Sequence, residues 1–166
     1  MDLEAWYDQE DARITATIRR VGWVINYIGG DSCRRPGCDS PPHEGPPFAY
    51  TIGMFGMGHP ELLMLGVDPA TANGVLNTLG TRIKHEGVDL MPGEILELDQ
   101  WTRRVIPEQV PNPGDIVLWA NDYYRRPPEH SVPVLQLTYD DDAGRFPWDE
   151  GYADPEMQPR PGTFAA

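Results

Sequence analysis

His59 is the residue of this sequence at which chemistry is easiest to build: it stands in "GMGHP", residues 56–60, between the apolar runs "FAYTIGMF" and "ELLMLGV". Imidazole titrates near neutrality, so a histidine in a tight turn can act as general base, general acid or ligand. Glu61, two residues further on, projects to the same side of an extended strand. An enzyme built here would use His59 as acid or base, Glu61 or Asp122 to orient the ring, and Arg125 to hold an anionic substrate. The structural alternative is that the ring hydrogen-bonds backbone within the turn while Glu61 pairs with an arginine.

Three further clusters carry polar or nucleophilic groups. Cys33 and Cys38 are spaced C-x4-C, and His43 follows at the same interval. Zinc takes four ligands and this loop supplies three, so Asp39 or His59 would have to complete the set; unliganded thiols or a redox-linked pair are the competing readings. In "ANDYYRRP", Asp122, Tyr124, Arg125 and Arg126 gather at a helix end, where arginines suit the negative dipole and can fork onto a carboxylate. That carboxylate is either a captured ligand or an internal one, with Asp140, Asp141 and Asp142 in supply. "GRFPWDEGY" sets Trp148 among aromatics and charges, suited either to lining a pocket for a flat ligand or to plugging the protein's own tail.

Several classes are excluded. The glycines of "GMFGMG" lead into a strand and not into a helix N-terminus, and no Gly-Lys-Ser/Thr follows, so they are not a phosphate cradle. There is no G-x-S-x-G elbow, H-E-x-x-H pair or kinase set, which leaves covalent catalysis without support. With 26 acidic against 13 basic side chains, the net charge of -13 repels phosphate backbones and anionic lipid, arguing against nucleic-acid and membrane partners. The opening "MDLEAWYDQEDARI" has no basic region followed by an apolar stretch, and no apolar run approaches about 18 residues, so the cytoplasm is the expected compartment.

The elements that must position these groups follow from periodicity and punctuation. Ile14, Ile18 and Val21 share one face of a helix over residues 8–21 that Gly22 ends, and "WVINYIG" then alternates as a strand. Residues 29–47 have no apolar period and form a long irregular loop. "FAYTIGMF" and "ELLMLGV" are close enough for an antiparallel hairpin across the His59 turn. Asp68 and Pro69 cap a helix with Ala72, Val75, Leu76, Leu79 and Ile83 on one face, stopped by Gly87. Residues 94–110 give one or two strands, interrupted or edged by Pro107. Asn112 and Pro113 repeat the cap signature, predicting a third helix with Ile116, Trp119, Ala120 and Tyr123 on one face up to Pro127. "VPVLQLTYDDDAGRFPW" is a strand with a turn, and 149–166 is a proline-rich tail expected to be extended and docked. The order α-β-β-β-α-β-α-β predicts a single α+β domain over residues 1–166, a largely antiparallel sheet carrying about three helices.

The strings "AYTIGMFGMGHPELLMLGV" and "VLNTLG" resemble the bacterial domain-of-unknown-function family 4262, from about residue 21 to residue 139. Tyr50-Thr51-x-Gly53 and Gly58-His59-Pro60-Glu61-Leu62 carry the likeness, while "ANDYYRRPPEHSVPVLQLTYD" and "GRFPWDEGY" look like a subgroup. The resemblance implies no activity. The expectation is a small-molecule or protein binding or accessory domain, with a cleft where the His59 turn, the third helix end and the Trp148 segment converge. Tyr50, Thr51, His59, Tyr124, Arg125, Arg126 and Trp148 are its candidate ligand contacts, and no cofactor beyond the zinc alternative is expected. The His59 enzyme is the rival, and an acidic inhibitor that neutralises a basic toxin is a third reading.

Overall fold

Capping and glycine punctuation set the helices, and the computed structural model describes them, with the rest of the fold, over residues 2–29 and 35–166. The Asp2 carboxylate accepts the Ala5 N–H at 2.8 Å and starts α1 (Leu3–Val21), which Gly22 ends in the left-handed region at φ 115°. The helix begins well before residue 8 because its first turns are solvated and held by this cap, a signal that apolar spacing does not carry. β1 (Val24–Ile28), β2 (Phe48–Ile52) and β3 (Glu61–Leu65) form an antiparallel run. α2 (Pro69–Glu86) has the Asp68 cap, the proline in its first turn and the Gly87 stop that the sequence predicts.

β4 (Leu96–Leu98) and β5 (Trp101–Gln109) form a second hairpin. β5 runs straight through Pro107, whose carbonyl accepts the Gly93 N–H at 2.9 Å. The proline's backbone therefore faces the side where β4 has already ended, the position at which a missing N–H costs no ladder bond. β6 (Val134–Tyr139) inserts between β3 and β5, giving the order β1-β2-β3-β6-β5-β4. Among the described residues every strand pairing is antiparallel except β3 with β6. The chain is thus an α+β protein with, among the described residues, three α-helices on a mostly antiparallel sheet.

The third helix departs from expectation. One 3-10 turn (Pro113–Asp115) is followed by a break at Ile116 and Val117, and α3 occupies only Leu118–Tyr123. Asn112 does not cap it: its Oδ1 accepts no helical N–H, and its Nδ2 donates to the Phe164 carbonyl at 2.8 Å and so ties down the C-terminal tail. Gly114 packs so closely on Pro128 that an added Cβ would lie 2.2 Å from the Pro128 carbonyl oxygen.

The sheet has a core on each face. On one side Leu62, Met64 and Leu137 pack against α2, where Leu76 and Leu79 have no exposed surface and are each worth about 1.5–3 kcal/mol. On the other, Phe48, Tyr50, Leu63 and Leu65 meet Ile14 of α1, Ala120 of α3 and Phe164 of the tail. Gln158 secures the tail from another point, accepting from the Tyr139 N–H and donating to its carbonyl at 2.8 and 2.9 Å. Residues 35–47 and 149–166 contain no helix or strand. No helix among the described residues is long and apolar enough to cross a membrane.

Candidate functional site

The hairpin link that the sequence singles out is wound around a carboxylate of its own. Glu61 has no exposed surface, and its oxygens accept from Thr51 Oγ1 at 2.6 Å and from the N–H groups of Gly53, Met54 and Phe55 at 2.9, 3.2 and 3.1 Å. Thr51 Oγ1 in turn accepts the Leu62 N–H at 2.9 Å. The glycines make the path possible: Gly53 sits at φ 138°, where an added Cβ would lie 2.4 Å from the Gly22 carbonyl, and Gly58 turns the chain at φ 79°. Burial pushes Glu61 up to about 7 against the pull of these four donors. The expected alternatives for this residue both fail, since its oxygens meet neither an arginine nor the His59 ring.

His59 is buried as well, and both ring nitrogens serve the backbone. Nε2 faces the Leu90 N–H at 3.1 Å and must accept, so Nδ1 carries the proton and donates to the Pro60 carbonyl at 2.8 Å. The neutral ring is a strut joining the turn to residues 88–92. This geometry corrects the acid/base arrangement: Glu61 does not orient His59, and neither nitrogen is directed at a carboxylate. Asp122 lies at the exposed end of α3, where partial desolvation and the nearby Asp11 hold its carboxyl above the usual range.

The end of α3 does reach the turn, though on its outer side. Tyr124 accepts the Gly56 N–H at 3.3 Å and sets its ring edge-on to Phe55, and the Arg126 guanidinium lies 5.4 Å from the Phe55 centroid. Arg126 Nε also donates to the His130 carbonyl. Arg125 is exposed, with the left-handed φ of 54° rare in a non-glycine residue. The aspartates expected to pair with these arginines are engaged elsewhere: Asp140 binds Arg104 and Asp142 binds Arg103, each at 2.8 Å.

Two of the remaining candidates are interior and one is remote. Tyr50 accepts from Asn26 Nδ2 and the Trp119 N–H, and burial lifts its phenol to about 12. Thr51 belongs to the Glu61 cradle. Trp148 stacks on Phe146 at 4.9 Å beneath the Arg160 guanidinium, which forks onto Glu108 of β5. Its segment leaves the far end of β6 from the His59 turn, so the three loops expected to converge do not share one cleft. Of the metal candidates, Cys33 lies outside the described residues, Cys38 is half-buried, and the His43 ring packs edge-on against Phe48 and Phe164. Among the described residues no three His, Cys, Asp or Glu side chains could hold a metal ion.

A groove of about 860 Å³ opens where sequence reasoning places nothing. It lies at the sheet end where β3 and β6 begin and β5 finishes, and Pro60 and Leu90, the two backbone partners of His59, form part of its wall. Asn112, Asp115, Glu129, His130 and Ser131 supply polar groups, and Val110 and Val134 apolar floor. No local pattern reveals it, because the parallel pairing of β3 with β6 joins residues about seventy positions apart. The excess of prolines flanking strand ends is the one signal that could have pointed there. A smaller hollow of about 340 Å³ lies beside Tyr139, Asp141 and Tyr152.

No curated protein and no solved structure matches the chain. The chain belongs to the family described as a domain of unknown function, DUF4262, whose sequence model matches residues 17–153.

Proposed function

We propose that this chain is a binding domain that takes a small molecule or short peptide in the groove beside the His59 turn, and that the turn itself is scaffold. The observation that carries the reading is the groove: its volume of about 860 Å³ lies in the range typical of ligand sites, roughly 300–1,000 Å³, and its wall mixes apolar surface with a few polar side chains. The occupied nitrogens of His59 support it too, since they hold the Pro60 and Leu90 walls in place and keep that ring from serving as a base. The cytoplasmic setting expected from the sequence stays part of this proposal, with cell fractionation as its check.

The test is a thermal-shift screen of metabolites and short peptides against the wild type and the variant His130→Trp. His130 is exposed on the groove wall and binds through its backbone, so an indole there fills space without removing a side-chain hydrogen bond. Ligands that stabilise the wild type and not the variant support the reading. Ligands that stabilise both equally bind elsewhere and contradict it.

A further inference from the structure

Resting on that reading, we infer that the groove selects an organic cation, a ligand carrying an ammonium or guanidinium group on an apolar body. Six prolines line the groove: Pro60, Pro92, Pro111, Pro113, Pro128 and Pro133. None of them has a backbone N–H, so a wall rich in proline is depleted in backbone donors. Two exposed carboxylates, Asp115 and Glu129, stand on the same wall, and among the described residues no lysine or arginine lines it.

Asn112 adds to the bias. Its Nδ2 is committed to the Phe164 carbonyl at 2.8 Å and the Asp115 carboxylate at 3.4 Å, both acceptors, which fixes the orientation of the amide. Its Oδ1 is buried with no donor among the described residues, so what Asn112 withholds from the groove is its donors, both engaged within the protein. The apolar floor of Val110 and Val134 completes a site for a stem with a charged head. A carboxylate or phosphate ligand would meet like charge from Asp115 and Glu129, and the net charge of -13 would oppose its approach.

Three probes of one chain length, hexylamine, hexanol and hexanoate, test the selection at neutral pH by titration of amide shifts at Gly114, Ser131 and Val134. Hexylamine is expected to bind tightest and hexanoate weakest, and added salt is expected to weaken hexylamine alone. The variants Asp115→Asn and Glu129→Gln, both at exposed positions, are each expected to weaken hexylamine by about threefold to fivefold while leaving hexanol unchanged. Equal affinity for hexylamine and hexanol, or a preference for hexanoate, overturns the selection for a cation while the groove itself stands as a binding site. If no probe moves these amides, both this inference and the groove reading fall.

Discussion

Replacing Glu61 with glutamine separates the two forces that meet in the hairpin turn, the cost of burying a charge and the gain from four converging donors. The amide keeps the size of the side chain, and its oxygen can still accept from Gly53 and Phe55, which share one carboxylate oxygen. The amide nitrogen replaces the other oxygen and faces the Thr51 hydroxyl and the Met54 N–H. The hydroxyl can rotate to accept, but the Met54 N–H loses its acceptor, at a cost of about 1–3 kcal/mol. Below pH 4.5, where Glu61 is protonated folded and unfolded, the variant is therefore expected to be less stable by about 2 kcal/mol. As pH rises, the unfolded chain releases the Glu61 proton from 4.5 upward while the folded chain keeps it until about 7. The folded state then binds more protons, so wild-type stability falls with pH by about 1.4 kcal/mol per unit, about 3 kcal/mol in all. Glutamine does not titrate, so the two stabilities should cross near pH 6 and the variant should be the more stable at pH 8. Urea unfolding of both proteins from pH 4.5 to 8, followed by tryptophan fluorescence, measures the difference, from which all other titrating groups cancel. A gap that widens in favour of the wild type as pH rises would refute the reasoning, because it would mean that the four donors outweigh burial.

Other substitutions probe the scaffold around the groove. His59→Ala leaves the Leu90 N–H without its acceptor and opens a cavity, with an expected loss of about 3–4 kcal/mol and faster hydrogen exchange at Leu90. Gly53→Ala forces a Cβ to within 2.4 Å of the Gly22 carbonyl at a left-handed φ, and is expected to cost more than about 3 kcal/mol in urea unfolding. Phe164→Ala removes the buried anchor of the tail and is expected to cost about 3 kcal/mol by the same assay, with amide shift changes extending to Asn112.

What the sequence conveys well is local. Asp68, Pro69 and Gly87 bound α2 because caps and helix stops act within a turn of the residues they serve. The β2–β3 hairpin is legible for the same reason, being two apolar runs across a short glycine-bearing link. The Asn112-Pro113 signature misleads because the asparagine amide is taken by Phe164, about fifty residues away, and a residue suited to capping is equally suited to holding a distant carbonyl. Glu61 looks like half of a catalytic pair because strand alternation fixes the side toward which it points, while the N–H groups that capture it lie on a turn whose path spacing does not define. The groove is hidden most completely, since its walls come from six separate prolines assembled by β3–β6 pairing.

The most direct test of the account is a crystal of this protein soaked with a fragment library in which cationic, neutral and anionic members are equally represented. Density is expected in the groove that Pro60, Leu90, Asp115 and Glu129 line. Density against Arg125 and Arg126 or beside Trp148, with the groove empty at the same fragment concentration, would contradict it.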